Sequence, residues 1–265
     1  MTPVSADWTR PAFALALEAL GDLPARAAIV RSREIGYQAV GIPAGRKEFA
    51  PSTLGESGAR DLASFLTKTG LTVSWVRAGQ KGRFAVSSTL QEDVERTLSV
   101  IDLAKRLRAG CAAAHVGQLG EAKSPAAANL RQALDVLADA ADRAAVRLAL
   151  EPSQGEEAIL DEVLVGVADA PLGRLLNPGQ SLFAGVNPID DVMAAGKIVA
   201  VAACDSSSDA ANLAPGEGRV PWRDFLAALA ARDYYECITT TFAPDKNSVM
   251  RASRALELLC RYGVS

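Results

Sequence analysis

A chain of 265 residues is long enough for two small domains or for one domain of barrel size. Its 49% hydrophobic content supplies a sizeable core, and 22% charged residues with a net charge of −3 describe an ordinary soluble surface. No basic block exceeds two adjacent cationic residues, which argues against a nucleic-acid partner, and no run of ~18 uninterrupted apolar residues is present to span a membrane.

The chain alternates short apolar runs with helical segments. Phe13 to Leu17 is the first apolar run, and Ala25 to Ile35 is a helix that stops at Gly36. Ala39 to Ile42 is a second strand, followed by a helix from Leu54 to Lys68 closed by Gly70. Leu71 to Val76 is rich in β-formers and reads as a third strand. A helix over Leu90 to Leu107, a strand over Cys111 to Val116 and an Ala- and Leu-rich helix over Pro125 to Ala145 follow. The second half continues with strands at Arg147 to Leu150, Gly173 to Leu176, Ile198 to Cys204 and Cys237 to Thr241. Helices at Ile159 to Ala168, Ile189 to Ala195, Trp222 to Ala231 and Val249 to Tyr262 alternate with them. Eight strand-then-helix units with short connections predict a parallel sheet closed into a single (β/α)8 barrel over residues 1–265, with an open doubly wound sheet as the competitor.

The stretch from Arg147 to Pro188 organises this reading. One strand delivers Glu151 to its C-terminal end just before Pro152, and the next delivers Asn177, Pro178, Gly179 and Gln180. Polar residues at C-terminal strand ends are how such a barrel builds a site. Glu151 there suits a general base that takes a proton from a carbon beside a carbonyl; its bland alternative is a carboxylate that binds backbone. His115, the only histidine, ends the neighbouring strand and would complete a Glu151/His115 acid–base pair, unless it is structural. Arg46, Lys47, Arg77, Lys81 and Arg83 follow the second and third strands near Trp75, where cations would bind a phosphate or carboxylate. Arg219 and Trp222 would close over the same pocket. Cys111, Cys204, Cys237 and Cys260 form no CxxC pair, and three sit in apolar strand-like runs; reduced core thiols and a cytoplasmic location follow, with no signal peptide expected at the N-terminus.

Five segments resemble the sugar-phosphate isomerase/epimerase group, the xylose isomerase-like TIM barrels. They are Glu34-Ile35-Gly36-Tyr37 with Gln38 to Ile42, Leu148-Ala149-Leu150-Glu151-Pro152, and Asn177-Pro178-Gly179-Gln180 with Gly185-Val186-Asn187-Pro188. Pro215-Gly216-Glu217-Gly218 with Val220-Pro221-Trp222, and Asp233-Tyr234-Tyr235 before the last strand, complete the set. The resemblance implies a TIM barrel and a divalent cation such as Mn²⁺, Mg²⁺ or Zn²⁺ held by Glu, Asp, His and Glu. Carried over, Glu151 matches the first ligand, Asn177 stands for the Asp, Gln180 for a neighbouring His, Ala202 for the later His and Thr241 for the last Glu. Gly41 replaces a common Glu. Ala cannot ligate and a Thr hydroxyl is weak, so no family-type metal and no other cofactor is expected. Asp205 and Glu217 are the nearby carboxylates that would have to restore such a site.

The expected function is that of an isomerase or epimerase-like protein acting on, or binding, a small sugar, sugar phosphate or keto-acid. Its substrate contacts would come from Arg46, Arg77, Asn177, Gln180, Asp205, Glu217, Arg219 and Thr241. The alternative is a catalytically inactive relative that serves as a ligand-binding or regulatory protein. The endonuclease relatives with a multi-zinc site do not fit one histidine and a net charge of −3. The sequence leaves room for a homo-oligomer.

Overall fold

The computed structural model of the chain describes residues 11–79 and 84–263. Eight parallel strands close into a barrel in chain order: β1 (Phe13–Ala16), β2 (Ala39–Pro43), β3 (Thr72–Arg77), β4 (Cys111–His115), β5 (Arg147–Glu151), β6 (Leu172–Leu176), β7 (Ile198–Ala203) and β8 (Ile238–Thr240). Around it run α1 (Ala25–Ile35), α2 (Pro51–Thr69), α3 (Leu90–Leu107), α4 (Pro125–Ala144), α5 (Glu157–Leu164), α6 (Pro178–Phe183), α7 (Pro188–Ala194), α8 (Trp222–Ala231) and α9 (Ser248–Tyr262). No helix among the described residues is long and apolar enough to cross a membrane. The closed barrel excludes the open doubly wound sheet.

Three local differences from the sequence reading matter. A helix, α6, occupies the Asn177-Pro178-Gly179-Gln180 stretch, because Asn177 caps it and Pro178 opens its first turn. Helix α2 begins at Pro51, ahead of Leu54, and tolerates the early start through a kink at Gly55, whose φ is 57°. The last strand stops at Thr240, so Thr241 lies one residue past it.

Strand side chains alternate between two cores. Leu15, Val40, Ile42, Val76, Leu148, Leu150 and Val201 face the helices in the larger core, while Ala16, Trp75, Cys111, Ala113, Ala149, Leu175, Ala200 and Ala202 form the smaller core inside the barrel. The inner set is mostly small, and Trp75 fills the middle. Gly41 leaves it that space: a Cβ there would lie 2.3 Å from the Trp75 indole nitrogen. A residue with a long acidic side chain at 41 has no room beside this tryptophan.

Continuing the inward parity upward, the next positions are Arg77, His115, Glu151 and Asn177. They sit at the C-terminal mouth for that reason. Behind them, Arg174 is 1% exposed and bonds Asp161 and Asp191 at 2.7 Å each, and Ser181 of α6 donates to Asp191 at 2.8 Å. This network fastens α6 and α7 onto β6. Gly179 lets α6 approach closely, since a Cβ there would be 2.7 Å from the Cys204 carbonyl oxygen.

Candidate active site at the C-terminal mouth

Glu151 ends β5 and is 1% exposed. Its Oε2 accepts a short hydrogen bond from Arg77 Nη2, and the Asn177 amide donates to its Oε1 at 3.5 Å. Asn177 works in two directions: its Oδ1 accepts from Gln180 N at 3.1 Å and caps α6, while its amide faces Glu151. An aspartate could cap the helix but would set a second carboxylate against Glu151.

A residue the sequence reading passed over joins this pair. Glu18 follows β1 in a single 3₁₀ turn, Leu17–Leu20, and its Oε2 is shielded from solvent without a hydrogen-bond partner. Burial raises its carboxyl above the ordinary range, and the nearby Arg77 guanidinium opposes that rise only in part. Burial works against the Arg77 charge, yet Glu151 and Glu18 more than offset it and hold its pKa above the usual value. Two carboxylates therefore share one guanidinium at the centre of the mouth. The signal that could have found Glu18 was the one used for Glu151, a lone acid directly after an apolar strand.

His115 is the register partner of Glu151 across β4 and β5. Its Nδ1 accepts from Gly117 N at 3.0 Å, which places the proton of the neutral ring on Nε2. Glu156 accepts from Leu119 N and Gly120 N at 2.7 Å each and fixes the loop that follows. Thr241 sits half-buried where its backbone N–H donates to Ala203 O at 3.0 Å. Gln180 is half-buried on the first turn of α6.

Other predicted contacts have different work. Asp205 is fully buried, and Ser206 N, Val220 N, Gly216 N and the Trp222 indole N–H donate to its two oxygens at 2.9–3.0 Å. It is the anchor of the 206–222 loop, with every carboxylate edge already engaged. Arg46 donates to the Gly21 and Leu23 carbonyls at 3.0 Å each and pairs with Glu48 at 2.5 Å, so it ties down the loop after β1. Glu217 is held by Arg251 of α9 at 2.6 Å and its carboxyl is lowered chiefly by that bond. Arg219 is exposed, and Lys47 likewise. Lys81 and Arg83 lie outside the described residues. Cys204 follows β7, with a thiol pushed up to about 12, by burial first and then by Asp205 and Glu151.

A divalent ion does not fit this donor set. Both Glu151 oxygens face hydrogen-bond donors, Ala202 is buried in the inner apolar core, and among the described residues no three His, Cys, Asp or Glu side chains cluster to hold a metal. The cation beside Glu151 is the guanidinium of Arg77.

The sequence matches the family described as xylose isomerase-like TIM barrel over residues 29–262. No match to a curated protein was found. Among solved structures, a xylose isomerase domain protein from Planctomyces limnophilus superposes with a TM-score of 0.82 at 18% identity, covering 96% of this chain and 97% of that one. A D-tagatose 3-epimerase-like protein gives 0.77 at 17% identity over 94% and 98%. D-allulose 3-epimerase from Methylomonas sp., solved in complex with D-allulose, gives 0.73 at 20% identity over 96% and 97%. At these identities the likeness establishes the fold.

Proposed function

Because the chain belongs to the xylose isomerase-like TIM barrel family, we propose that it binds a small polyhydroxylated carbonyl compound, a sugar or keto-acid, at the mouth built by Glu18, Arg77, Glu151 and Asn177. There it moves a proton at a carbon beside the carbonyl. The observation that carries this reading is the pair of carboxyl groups sharing one guanidinium, with burial raising one of them. Sugar complexes among the structural relatives support the ligand class: D-allulose in the Methylomonas enzyme and D-fructose with a D-psicose 3-epimerase.

The chemistry balances without a metal ion. The Glu151 carboxylate accepts the carbon-bound proton, and the electron pair of the broken C–H bond moves onto the carbonyl oxygen. Arg77 donates hydrogen bonds to that oxygen as its negative charge develops. Glu18, held protonated more readily by burial, returns a proton to the same carbon from the other side and leaves the epimer. Asn177 and Gln180 offer amides to the hydroxyl groups. His115, with its Nε2–H, belongs to the same wall and orients an oxygen of the ligand.

The test is proton exchange in heavy water. EDTA-treated protein is incubated with D-allulose, D-tagatose and D-fructose, and the signal beside the carbonyl is followed by NMR. Exchange with at least one ketose, lost in Glu151→Gln, is expected. Ketose binding without exchange would leave a ligand-binding protein and overturn the proton-transfer half of the reading; no binding would overturn both halves.

A further inference from the structure

A cavity of about 770 Å³ opens at the opposite end of the barrel, where the strands begin. Its size falls within the range of small-molecule pockets. Small inward residues near the strand N-termini, Ala39, Cys111 and Ala200, line it beside Val199, where a barrel is ordinarily packed throughout by bulky branched layers. Trp75 and the hydrogen-bonded pair of Thr239 and Ser74, 2.9 Å apart, also line it. The same Trp75 ring carries the Arg77 guanidinium 5.9 Å from its centroid, so one side chain divides this cavity from the catalytic mouth.

The rim is cationic. Arg108, Arg147, Lys197 and Arg232 line the cavity against only Asp233 and Glu236, a positive balance on a chain whose net charge is −3. Arg147 bonds Glu236 at 2.8 Å, Lys197 donates to Ala170 O, and Arg232 donates to four backbone carbonyls that include Val192 and Gly196. None of these bonds cancels the field of Lys197 or Arg232, because a carbonyl carries no net charge. Arg108 is exposed in the left-handed C-cap of α3, with φ 53°, and points its charge at solvent beside the opening.

We propose that this cavity is a second ligand site, separate from the sugar mouth, for a small amphipathic anion. An apolar body would lie over the floor that Trp75 backs from within the core, with a carboxylate or sulfonate held at the cationic rim. Apolar walls set the affinity by area, and the rim sets the sign of charge.

The probe is 1-anilinonaphthalene-8-sulfonate, titrated into the full-length protein while tryptophan emission is followed, with octanoate and 1-octanol as competitors. The expected result is one-to-one binding that quenches emission, with the quench reduced in Trp75→Phe. Octanoate should displace the probe far better than 1-octanol. The surface variant Arg108→Glu/Lys197→Glu should bind about tenfold more weakly while keeping the wild-type circular dichroism spectrum. Ala200→Leu, which fills the cavity, should abolish binding. Equal displacement by 1-octanol, or affinity unchanged in both variants, would overturn the proposal. Binding that weakens as protein concentration rises, the mark of a second copy closing the opening, would overturn it as well.

Discussion

Replacing Arg77 by methionine is the most informative single change. Glu151 is 1% exposed and the Arg77 side chain 17%, so the variant leaves a carboxylate in a nearly dry site with only the Asn177 amide as a donor. Removing one partner of a buried pair costs about 3–5 kcal/mol, and the partial exposure of Arg77 puts this case near the lower figure. At roughly 2–4 °C per kcal/mol for a chain of this size, melting should fall by about 6–12 °C. The converse variant, Glu151→Gln, should cost only about 1–2 kcal/mol, because Glu18 still faces the guanidinium and glutamine still accepts. The double variant should lose less than the sum of the two by about 2 kcal/mol. Thermal melts followed by circular dichroism at neutral pH measure all of this. Additive losses, or an Arg77→Met melting point equal to that of wild type, would refute the idea that the guanidinium is the counterion of Glu151.

Glu18→Gln tests the raised carboxyl: the folded state holds that proton more tightly than the unfolded one, so wild-type stability is fully present at low pH and lost as pH rises through the raised value. The variant should therefore match wild type near about pH 4 and exceed it near about pH 8, read as melting temperature against pH. Asp205→Asn turns an amide toward two of the four N–H donors and should cost about 2–4 kcal/mol, with faster proteolytic cleavage between 206 and 219. Gly218→Ala should act similarly, because its Cβ would lie 2.3 Å from both Asp205 Oδ1 and Ser206 O. Arg174→Met strands Asp191 and should lower stability by about 3–5 kcal/mol while loosening α6, which hydrogen exchange over residues 178–183 would report.

The barrel was legible because most of its strands are largely apolar runs of four to six residues that alternate with helices along the chain. Glu151 and Asn177 were legible for the same reason: position at a strand end reports position at the mouth. Glu18 carried the same signal, an acid just past the first apolar run, but it stands in a 3₁₀ turn and in none of the segments that resemble the family. The bonds of Asp205 and Arg46 were not legible, for a different reason. Their partners are backbone groups of loops, Gly216 N and Val220 N for one and Gly21 O and Leu23 O for the other, and composition does not say which way a loop folds. The amide at 177 and alanine at 202 look like losses one at a time. Beside Arg77 the amide at 177 makes sense: with Glu18 and Glu151 already sharing one guanidinium, a further carboxylate there would be excess charge.

The central claim is that Arg77, in place of a divalent ion, serves as the cation of this mouth. Calorimetric titration of Mn²⁺ into EDTA-treated wild type, Glu151→Gln and Arg77→Met tests it most directly. The account predicts no saturable site below the millimolar range in wild type, and no difference in Glu151→Gln. Tight one-to-one Mn²⁺ binding in wild type that disappears in Glu151→Gln would contradict it.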